Sequence, residues 1–217
     1  MKICHLTSVH KWNDVRIFEK ECVSLKKAVF DVSLIAVNGQ SGIFEGVNVI
    51  SVSSDAKSRL GRMTKTVKAV YQAALKVDAE IYHFHDPELL RFALRLKRKG
   101  KTVIYDAHED LPRQFMGNSK VPGRKIISWV VEFLEDYIAA RLDGIITATP
   151  YIAQRFKRVH ANTIDVNNFP LASEIEFLDQ QAKPKDPFVC YIGGIWPSRG
   201  ITELVDAMEL SEVSLAL

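Results

Sequence analysis

Apolar positions recur along the chain in two periods, one typical of buried strands and one typical of amphipathic helices. Short apolar runs predict strands at about 2–8, 32–37, 47–52, 81–85, 102–105, 145–148 and 163–166. Apolar residues at helical spacing predict helices at about 14–29, 60–76, 87–99, 125–142 and 150–159. Because strands alternate with helices, the pattern predicts an α/β domain with a mostly parallel, Rossmann-like sheet and helices on both faces.

Two connecting segments lack either period. Residues 38–42 read Asn-Gly-Gln-Ser-Gly and predict a turn, and the proline- and glycine-containing stretch around 111–123 predicts a loop. The helix that follows this loop carries an apolar stripe, which we expect to be buried in the core, with Trp129 at its surface. The stripe comprises Ile127, Val130, Phe133, Leu134, Tyr137 and Ile138.

Residues 169–187 contain three prolines, several charges and little periodicity, so we interpret them as an interdomain linker. They follow an N-terminal domain at 1–168. Residues 188–217 then predict a strand, a glycine-containing loop, a helix at about 201–210 and a final strand. Because so short a segment cannot bury a core of its own, we expect it to be the incomplete start of a second Rossmann-like domain.

The composition is that of an ordinary globular protein, with 217 residues, 47% hydrophobic and 25% charged. The net charge of +3 is too small to indicate nucleic-acid binding. Cys4, Cys22 and Cys190 lack the spacing of a metal site and indicate buried thiols in a reducing compartment. The N-terminus does not read as a signal peptide, and charges interrupt every apolar run before a membrane-spanning length. We therefore expect a cytoplasmic protein.

Two clusters of titratable residues follow two of the predicted strands. In the first, His83 and His85 share one face of a strand and Phe84 takes the other, because side chains alternate along a strand. Asp86 is predicted to cap the helix that Pro87 opens, since proline is best tolerated at the first helical position.

The second cluster follows the strand at 102–105 and includes Asp106, His108 and Glu109. In open α/β sheets, ligands bind outside the carboxyl ends of the strands. Two clusters at two such ends predict a site.

The order of four motifs resembles family 4 of the retaining glycosyltransferases, which have two facing Rossmann-like domains, the GT-B fold. The resemblance covers nearly the whole chain. The motifs are Asp14-Val15-Arg16-Ile17-Phe18, His83-Phe84-His85-Asp86-Pro87-Glu88-Leu89, Tyr105-Asp106-Ala107-His108-Glu109, and Tyr191-Ile192-Gly193-Gly194 with Arg199-Gly200.

The resemblance implies a retaining hexosyltransferase of polysaccharide biosynthesis, whose N-terminal domain binds the acceptor and whose C-terminal domain binds a nucleotide-sugar. It places His85 at the reacting centre and implies that no metal or cofactor is needed. It further implies acceptor-side roles for Asp14, Arg16, His83, Asp86, His108 and Glu109.

On the donor side, the resemblance places the diphosphate of the nucleotide-sugar at the start of the last helix, near Gly193, Gly194, Arg199 and Gly200. Gly194 departs from the family, which usually has an arginine there. The family's paired donor-binding glutamates would come later than Leu217.

Each residue also has a structural interpretation. His83 and His85 fit core packing, or a metal site with Asp86 and His108. Asp14 fits a helix cap, Arg16 fits pairing with a carboxylate, and His108 or Glu109 fits capping of the next turn.

Three functions therefore stay open. The first is a glycosyltransferase acting on a glycan or lipid-linked acceptor, of which this chain is a fragment or truncated form that is inactive alone. The second is a non-catalytic acceptor-binding module that works with a partner chain. The third is a metal hydrolase.

Two kinds of association stay open as well. Basic residues at a spacing of three fit either a solvated face or a peripheral contact with the inner face of a membrane; they are Arg59, Arg62, Lys65 and Lys68. An unfinished second domain would expose apolar surface and favour oligomers.

Overall fold

The computed structural model describes residues 1–55, 61–117, 122–172, 175 and 188–216. It divides into two compact units, Met1–Phe169 and Pro170–Leu217. Most of the segment predicted to be a linker lies outside the described residues, as does Leu217. No helix in the described part of the chain is long and apolar enough to cross a membrane.

The first unit contains an eight-stranded sheet in the order β3-β4-β2-β1-β5-β6-β7-β8. All neighbouring strands are parallel except β3 and β4, which confirms the predicted α/β fold. The strands are β1 Lys2–Leu6, β2 Asp31–Val37, β3 Gly42–Phe44, β4 Val47–Val52, β5 Ile81–Phe84, β6 Thr102–Ala107, β7 Gly144–Thr147 and β8 Thr163–Asp165.

Helices connect the parallel strands. A π-helical segment, Val15–Cys22, leads into α1, and a second one, Arg62–Thr66, leads into α2; a 3-10 turn, Pro87–Leu89, precedes α3. The α-helices of this unit are α1 Val23–Lys27, α2 Val67–Val77, α3 Leu90–Lys97, α4 Leu111–Gly117, α5 Arg124–Ala139 and α6 Pro150–Phe156.

The strand order reverses between β1 and β5. From β1 the chain moves to β2 and β4 on one side, and from β5 it moves to β6, β7 and β8 on the other. Such a reversal opens a crevice at the carboxyl ends of the two strands, where ligands of this fold class bind.

Two apolar clusters cover opposite faces of the sheet. The larger one packs α2, α3 and α6 against alternate residues of β1, β5 and β6, such as Leu6, Tyr82 and Tyr105. The smaller one packs Ile17 and Phe18 against β2 and β4. Side chains of β1 and β5 that point away from the larger cluster therefore face the segment Val15–Lys27.

Two predictions of irregular structure were wrong in part, whereas residues 38–41 lie outside the strands as predicted. Part of the predicted turn at 38–42 belongs to β3, which pairs with β4 through a tight turn in which Glu45 (φ 49°) and Gly46 (φ 77°) are left-handed. Two such residues are typical of a two-residue hairpin. Part of the predicted loop forms α4. Pro112 lies in the first turn of this helix, where a backbone N–H would have no partner within the helix, so proline is tolerated.

The prediction that the apolar stripe of α5 is core was wrong for most of its residues. The helix buries Ser128, Glu135 and Ala139, because the Ser128 hydroxyl donates to the Pro112 carbonyl (2.8 Å) and Glu135 accepts from the Tyr105 hydroxyl (2.8 Å). These polar anchors turn the opposite face outward. We call that exposed face the α5 ridge; it comprises Ile126, Trp129, Val130, Phe133, Leu134 and Tyr137.

The second unit contains β9 Phe188–Cys190, a 3-10 turn at Pro197–Arg199, α7 Ile201–Met208 and β10 Ser214–Ala216. The two strands pair in parallel, and α7 connects them along the chain. Of the three cysteines, Cys4 and Cys22 are buried as predicted, whereas Cys190 is exposed in this unit.

Candidate functional site

The end of β1 is held by Asp86, which follows β5. One carboxylate oxygen of Asp86 accepts hydrogen bonds from the Ser8 amide (2.6 Å) and the Thr7 hydroxyl (2.8 Å). Asp86 occupies the N-cap position of the next helical turn, but its side chain accepts no hydrogen bond from the amides of that turn. The predicted side-chain cap is therefore wrong. The carboxylate instead joins the two strand ends that border the crevice.

The helical segment after β1 begins as the sequence predicts. The Asp14 side chain accepts from the amides of Arg16 (2.9 Å) and Ile17 (3.0 Å), which is an N-cap. Arg16 then reaches the end of β6, where its guanidinium donates to both oxygens of Asp106 at 3.0–3.2 Å. Both partners are buried, so the predicted pairing of Arg16 with a carboxylate is confirmed.

Three imidazoles lie side by side beneath this ion pair. His5 of β1 is opposite His83 of β5 in the strand register, and His85 stacks on His83 with ring centroids 4.6 Å apart. The His5 Nδ1 lies 2.9 Å from the His85 Nε2, and the His85 Nδ1 lies 3.2 Å from the His108 Nε2. The predicted common face of His83 and His85 is confirmed, and it is the face that Val15–Cys22 covers.

Two carboxylates border the imidazoles and differ in their affinity for a proton. Burial and the nearby Asp106 charge raise the pKa of Glu21 well above 4.5. Burial alone would raise the pKa of Asp106 too, but hydrogen bonds with His108 and His85 lower that pKa well below 3.8. Asp106 is therefore the ionised partner of Arg16.

The three imidazoles are neutral at physiological pH. Burial, assisted by repulsion from the neighbouring rings, lowers the pKa of His83 to about 3 and that of His5 well below 6.5. Burial also lowers the pKa of His85. At the outer edge, a hydrogen bond with Asp14 raises the pKa of His10 above 6.5.

An open cavity of about 520 Å³ lies at the carboxyl ends of β1, β5 and β6. Its lining combines polar groups with apolar residues that include Val9, Pro87 and Leu111. Its titratable lining residues are His10, Asp14, Arg16, His85, Asp86, Tyr105, His108 and Glu109. A second cavity, about 540 Å³ between α2 and β4, has Lys2 and Lys76 as its titratable residues, so it offers less chemistry.

The structure brings together six of the seven N-terminal residues that the sequence singles out. Asp14, Arg16, Asp86, His108 and Glu109 line the cavity together with His85. His83 lies behind His85, away from the cavity. Glu109 is exposed at the rim and accepts a hydrogen bond from Gln114.

Three residues of this site were missed by the sequence analysis, and a fourth was named without a role. His5 lies on the same face as His83, and the two-residue period of β1 could have shown that. His10 precedes Asp14 by four residues, a spacing that suits ion pairing. Glu21 follows the buried Ile17 by four positions, so a carboxylate on the inner helix face was a usable signal. The fourth, Asp106, was seen as part of a motif without a role.

The predicted donor residues lie in the second unit. Gly193 and Gly194 follow β9 in an exposed loop, in which the Tyr191 hydroxyl donates to the Gly194 carbonyl (2.9 Å). Arg199 ends the 3-10 turn, and Gly200 (φ 74°) is the left-handed residue that starts α7.

Comparison with known proteins agrees with this architecture. Residues 20–166 match the model of Glycosyltransferase Family 4, so the chain belongs to that family. No curated protein sequence matches this chain.

The chain is also similar to solved GT-B structures. Sucrose-phosphate synthase from Thermosynechococcus elongatus matches with a TM-score of 0.70 and 16% identity, over 99% of this chain and 61% of the other. HepE from Anabaena, solved in complex with UDP and glucose, matches with a TM-score of 0.61 and 17% identity over 99% and 60%. UGT2 from Phytolacca americana, solved with UDP-2-fluoro-glucose and pterostilbene, matches with a TM-score of 0.60 and 12% identity over 99% and 65%.

At these identities the likeness shows the fold, and the chain spans about three-fifths of the first two of these structures.

The sequence also allowed a metal site in which Asp86 and His108 join His83 and His85. Asp86 bonds to the end of β1 and stands outside the imidazole cluster, whose nearest carboxylates are Glu21 and Asp106.

Proposed function

We propose that this protein takes part in the transfer of a hexose from a nucleotide-sugar to a hydroxyl of a glycan or lipid-linked acceptor in polysaccharide biosynthesis, with retention of anomeric configuration. The observation that carries the proposal is the polar cavity at the β1–β5 crevice in a member of Glycosyltransferase Family 4. In the transfer, the acceptor oxygen bonds to the anomeric carbon while the bond from that carbon to the diphosphate breaks. The acceptor proton leaves with the nucleoside diphosphate.

The acceptor is proposed to bind in this cavity. Glu109 at its rim accepts a hydrogen bond from an acceptor hydroxyl, and His108 lines the adjoining wall. His85 contacts the transferred sugar by exchanging its Nδ1 contact with His108 for one with a sugar hydroxyl. Arg16, Asp14 and Asp86 hold the walls in place through the hydrogen bonds described above.

The donor is proposed to bind in the second unit and in the remainder of a GT-B donor domain. Amide groups at the start of α7 and the Arg199 guanidinium offer positive charge to the leaving diphosphate. Because these groups can stabilise the leaving charge by themselves, we propose that transfer needs neither a metal nor a cofactor. Gly194 supplies close backbone approach where the family usually has an arginine.

We further propose a peripheral contact with the inner face of a membrane, which would suit a lipid-linked acceptor. The α5 ridge exposes Trp129 at 67% and Phe133 at 58%, and their rings stack with centroids 6.0 Å apart. Aromatic side chains favour the membrane interface. Lys65 and Lys68 of the predicted basic stripe are exposed, while Arg59 and the side chain of Arg62 lie outside the described residues. The ridge also suits self-association, so light scattering belongs with any vesicle-binding test.

The test is a transfer assay with the polypeptide translated from the complete reading frame. Radiolabelled UDP- and GDP-hexoses are supplied with a lipid extract or glycan acceptors, and label is counted in the acceptor fraction. We expect transfer by the wild type and a large loss in His85→Ala. Glu109→Gln replaces a charged hydrogen-bond acceptor by a neutral one and should lower transfer by about 10-fold. Glu45→Gln, on the remote β3–β4 turn, is the matched control and should keep wild-type activity.

Two outcomes would overturn parts of this proposal. Wild-type turnover in His85→Ala would remove His85 from the reacting centre. Acceptor binding without transfer of label from any donor would identify the binding-module function instead.

A further inference from the structure

The imidazole cluster behind His85 contains groups that the transfer proposal does not use. The cavity lining does not include His5, Glu21 or His83. Each of them nevertheless has a nitrogen or oxygen atom within 4.8 Å of a ring nitrogen of His85. His5 and His83 are buried, and Glu21 is nearly so, with its side chain 15% exposed. These groups form a site that shares His85 with the acceptor cavity and that goes beyond the proposed function.

Buried polar atoms in this cluster lack hydrogen-bond partners. Among the residues that the structure describes, the His5 Nε2, the His83 Nε2 and both oxygens of Glu21 have none. A buried polar atom left in this state costs about 1–3 kcal/mol. Of these four atoms, the Glu21 Oε2 is the one that faces the ring nitrogens of the proposed site. The Glu21 Oε1 lies 3.2 Å from the Arg16 guanidinium, and the Glu21 Oε2 lies within 4.0 Å of three imidazoles.

Three ring nitrogens converge on that oxygen. The Glu21 Oε2 lies 3.8 Å from the His5 Nδ1, 3.8 Å from the His85 Nε2 and 4.0 Å from the His83 Nδ1. The His5 and His85 nitrogens are themselves 2.9 Å apart. One donor atom from each of the four residues fits within 4.8 Å of all the others.

We propose that His5, Glu21, His83 and His85 form a binding site for a divalent transition-metal ion of the zinc class. Three imidazole nitrogens and one carboxylate oxygen are ligands that zinc accepts in four-coordinate sites. Metal–ligand bonds of about 2.0–2.2 Å in a tetrahedron place the ligand atoms about 3.3 Å apart. The observed separations of 2.9–4.0 Å lie on both sides of that value, so small side-chain movements complete the site.

The surroundings suit such an ion as well. Metal-bound histidines usually direct their second nitrogen to a carboxylate that fixes the ring. Here the Asp106 Oδ2 lies 3.5 Å from the His85 Nδ1 and 4.0 Å from the His83 Nε2. The ion would join β1, β5 and the helical segment Val15–Cys22 behind the cavity. It therefore has a structural role.

Cobalt(II) is the probe, because its visible spectrum distinguishes tetrahedral from octahedral coordination. Untagged protein is dialysed against a chelator and then titrated with CoCl2, and zinc competition is followed by loss of the cobalt bands. We expect one tetrahedral Co(II) per chain, displacement by an equivalent of Zn(II), and a higher midpoint of thermal unfolding with zinc than without. Glu21→Gln should weaken cobalt binding by about 10-fold or more.

Matched variants assign the ligands. Glu19→Gln removes an exposed carboxylate two residues away and should bind cobalt as the wild type does. His108→Gln removes the alternative group formed by His85, Asp106 and His108, and should also keep the tetrahedral spectrum. His83→Gln serves as a second ligand variant if Glu21→Gln does not fold.

Several results would overturn the proposal. They are the absence of tetrahedral cobalt in the wild type, equal affinity in wild type and both ligand variants, and loss of binding in His108→Gln. Because none of these readouts measures sugar transfer, a failed metal site leaves the proposed function standing, and an inactive protein leaves the metal site standing.

Discussion

The ion pair between Arg16 and Asp106 provides the sharpest test of how the site is held together. The Arg16 side chain is 7% exposed and that of Asp106 is fully buried, and the guanidinium spans both carboxylate oxygens. Arg16→Met keeps much of the apolar stem but removes the charge, so a buried carboxylate loses its main partner. Breaking one side of a buried pair costs about 3–5 kcal/mol.

The measurement is urea unfolding followed by far-UV circular dichroism at neutral pH. We expect Arg16→Met to lower the free energy of unfolding by about 3–5 kcal/mol. Arg16→Lys should lose less, because an ammonium keeps the charge but cannot span both oxygens. The Arg16→Met/Asp106→Asn double variant should be more stable than the sum of the single losses predicts, since the two residues are coupled.

The control is the pair of Lys101 and Asp78, whose charged atoms lie closer together, at 2.7 Å, but whose Asp78 side chain is 77% exposed. Asp78→Asn should leave the urea midpoint unchanged, because solvent screens an exposed pair. If Arg16→Met unfolded at the same urea concentration as the wild type, burial would not be what gives this pair its strength, and the reasoning would be refuted.

Three further predictions concern stability. Asp86→Asn should lower the free energy of unfolding by about 1.5–3 kcal/mol, because it removes the charge of the carboxylate that accepts the buried hydrogen bonds at the end of β1. An unchanged urea midpoint would contradict this. Phe156→Ala should cost about 3–5 kcal/mol because the ring is fully buried, whereas Trp129→Ala on the α5 ridge should stay within about 0.5 kcal/mol; comparable losses would place the ridge in the core. The hydrogen bond with Asp14 raises the pKa of His10, so its contribution to stability is complete below pH 6.5 and is lost as the pH rises through the folded-state pKa. The difference in thermal midpoint between the wild type and His10→Asn should therefore decrease as the pH is raised from about 6 to about 9. Parallel pH profiles of the two proteins would reject the pairing.

Much of the fold was predictable because it depends on local patterns. The strand β4 has the predicted bounds, and the alternation of strands and helices gave the parallel sheet. The wrong prediction for α5 has its cause in tertiary contacts. The apolar face of α5 points outward because the polar Ser128 and Glu135 find buried partners in Pro112, Tyr105 and Arg155. Periodicity cannot show which face finds those partners.

The candidate site divides in the same way. The sequence by itself determined the fold class, the resemblance to family 4, the cap at Asp14 and the common face of His83 and His85, because each depends on neighbours along the chain. Only the tertiary structure decided that Arg16 pairs with Asp106, 90 residues away, and that His5 and Glu21 join the two histidines. The physical reason is that strand order and register set those neighbours, and both arise from packing of the whole sheet.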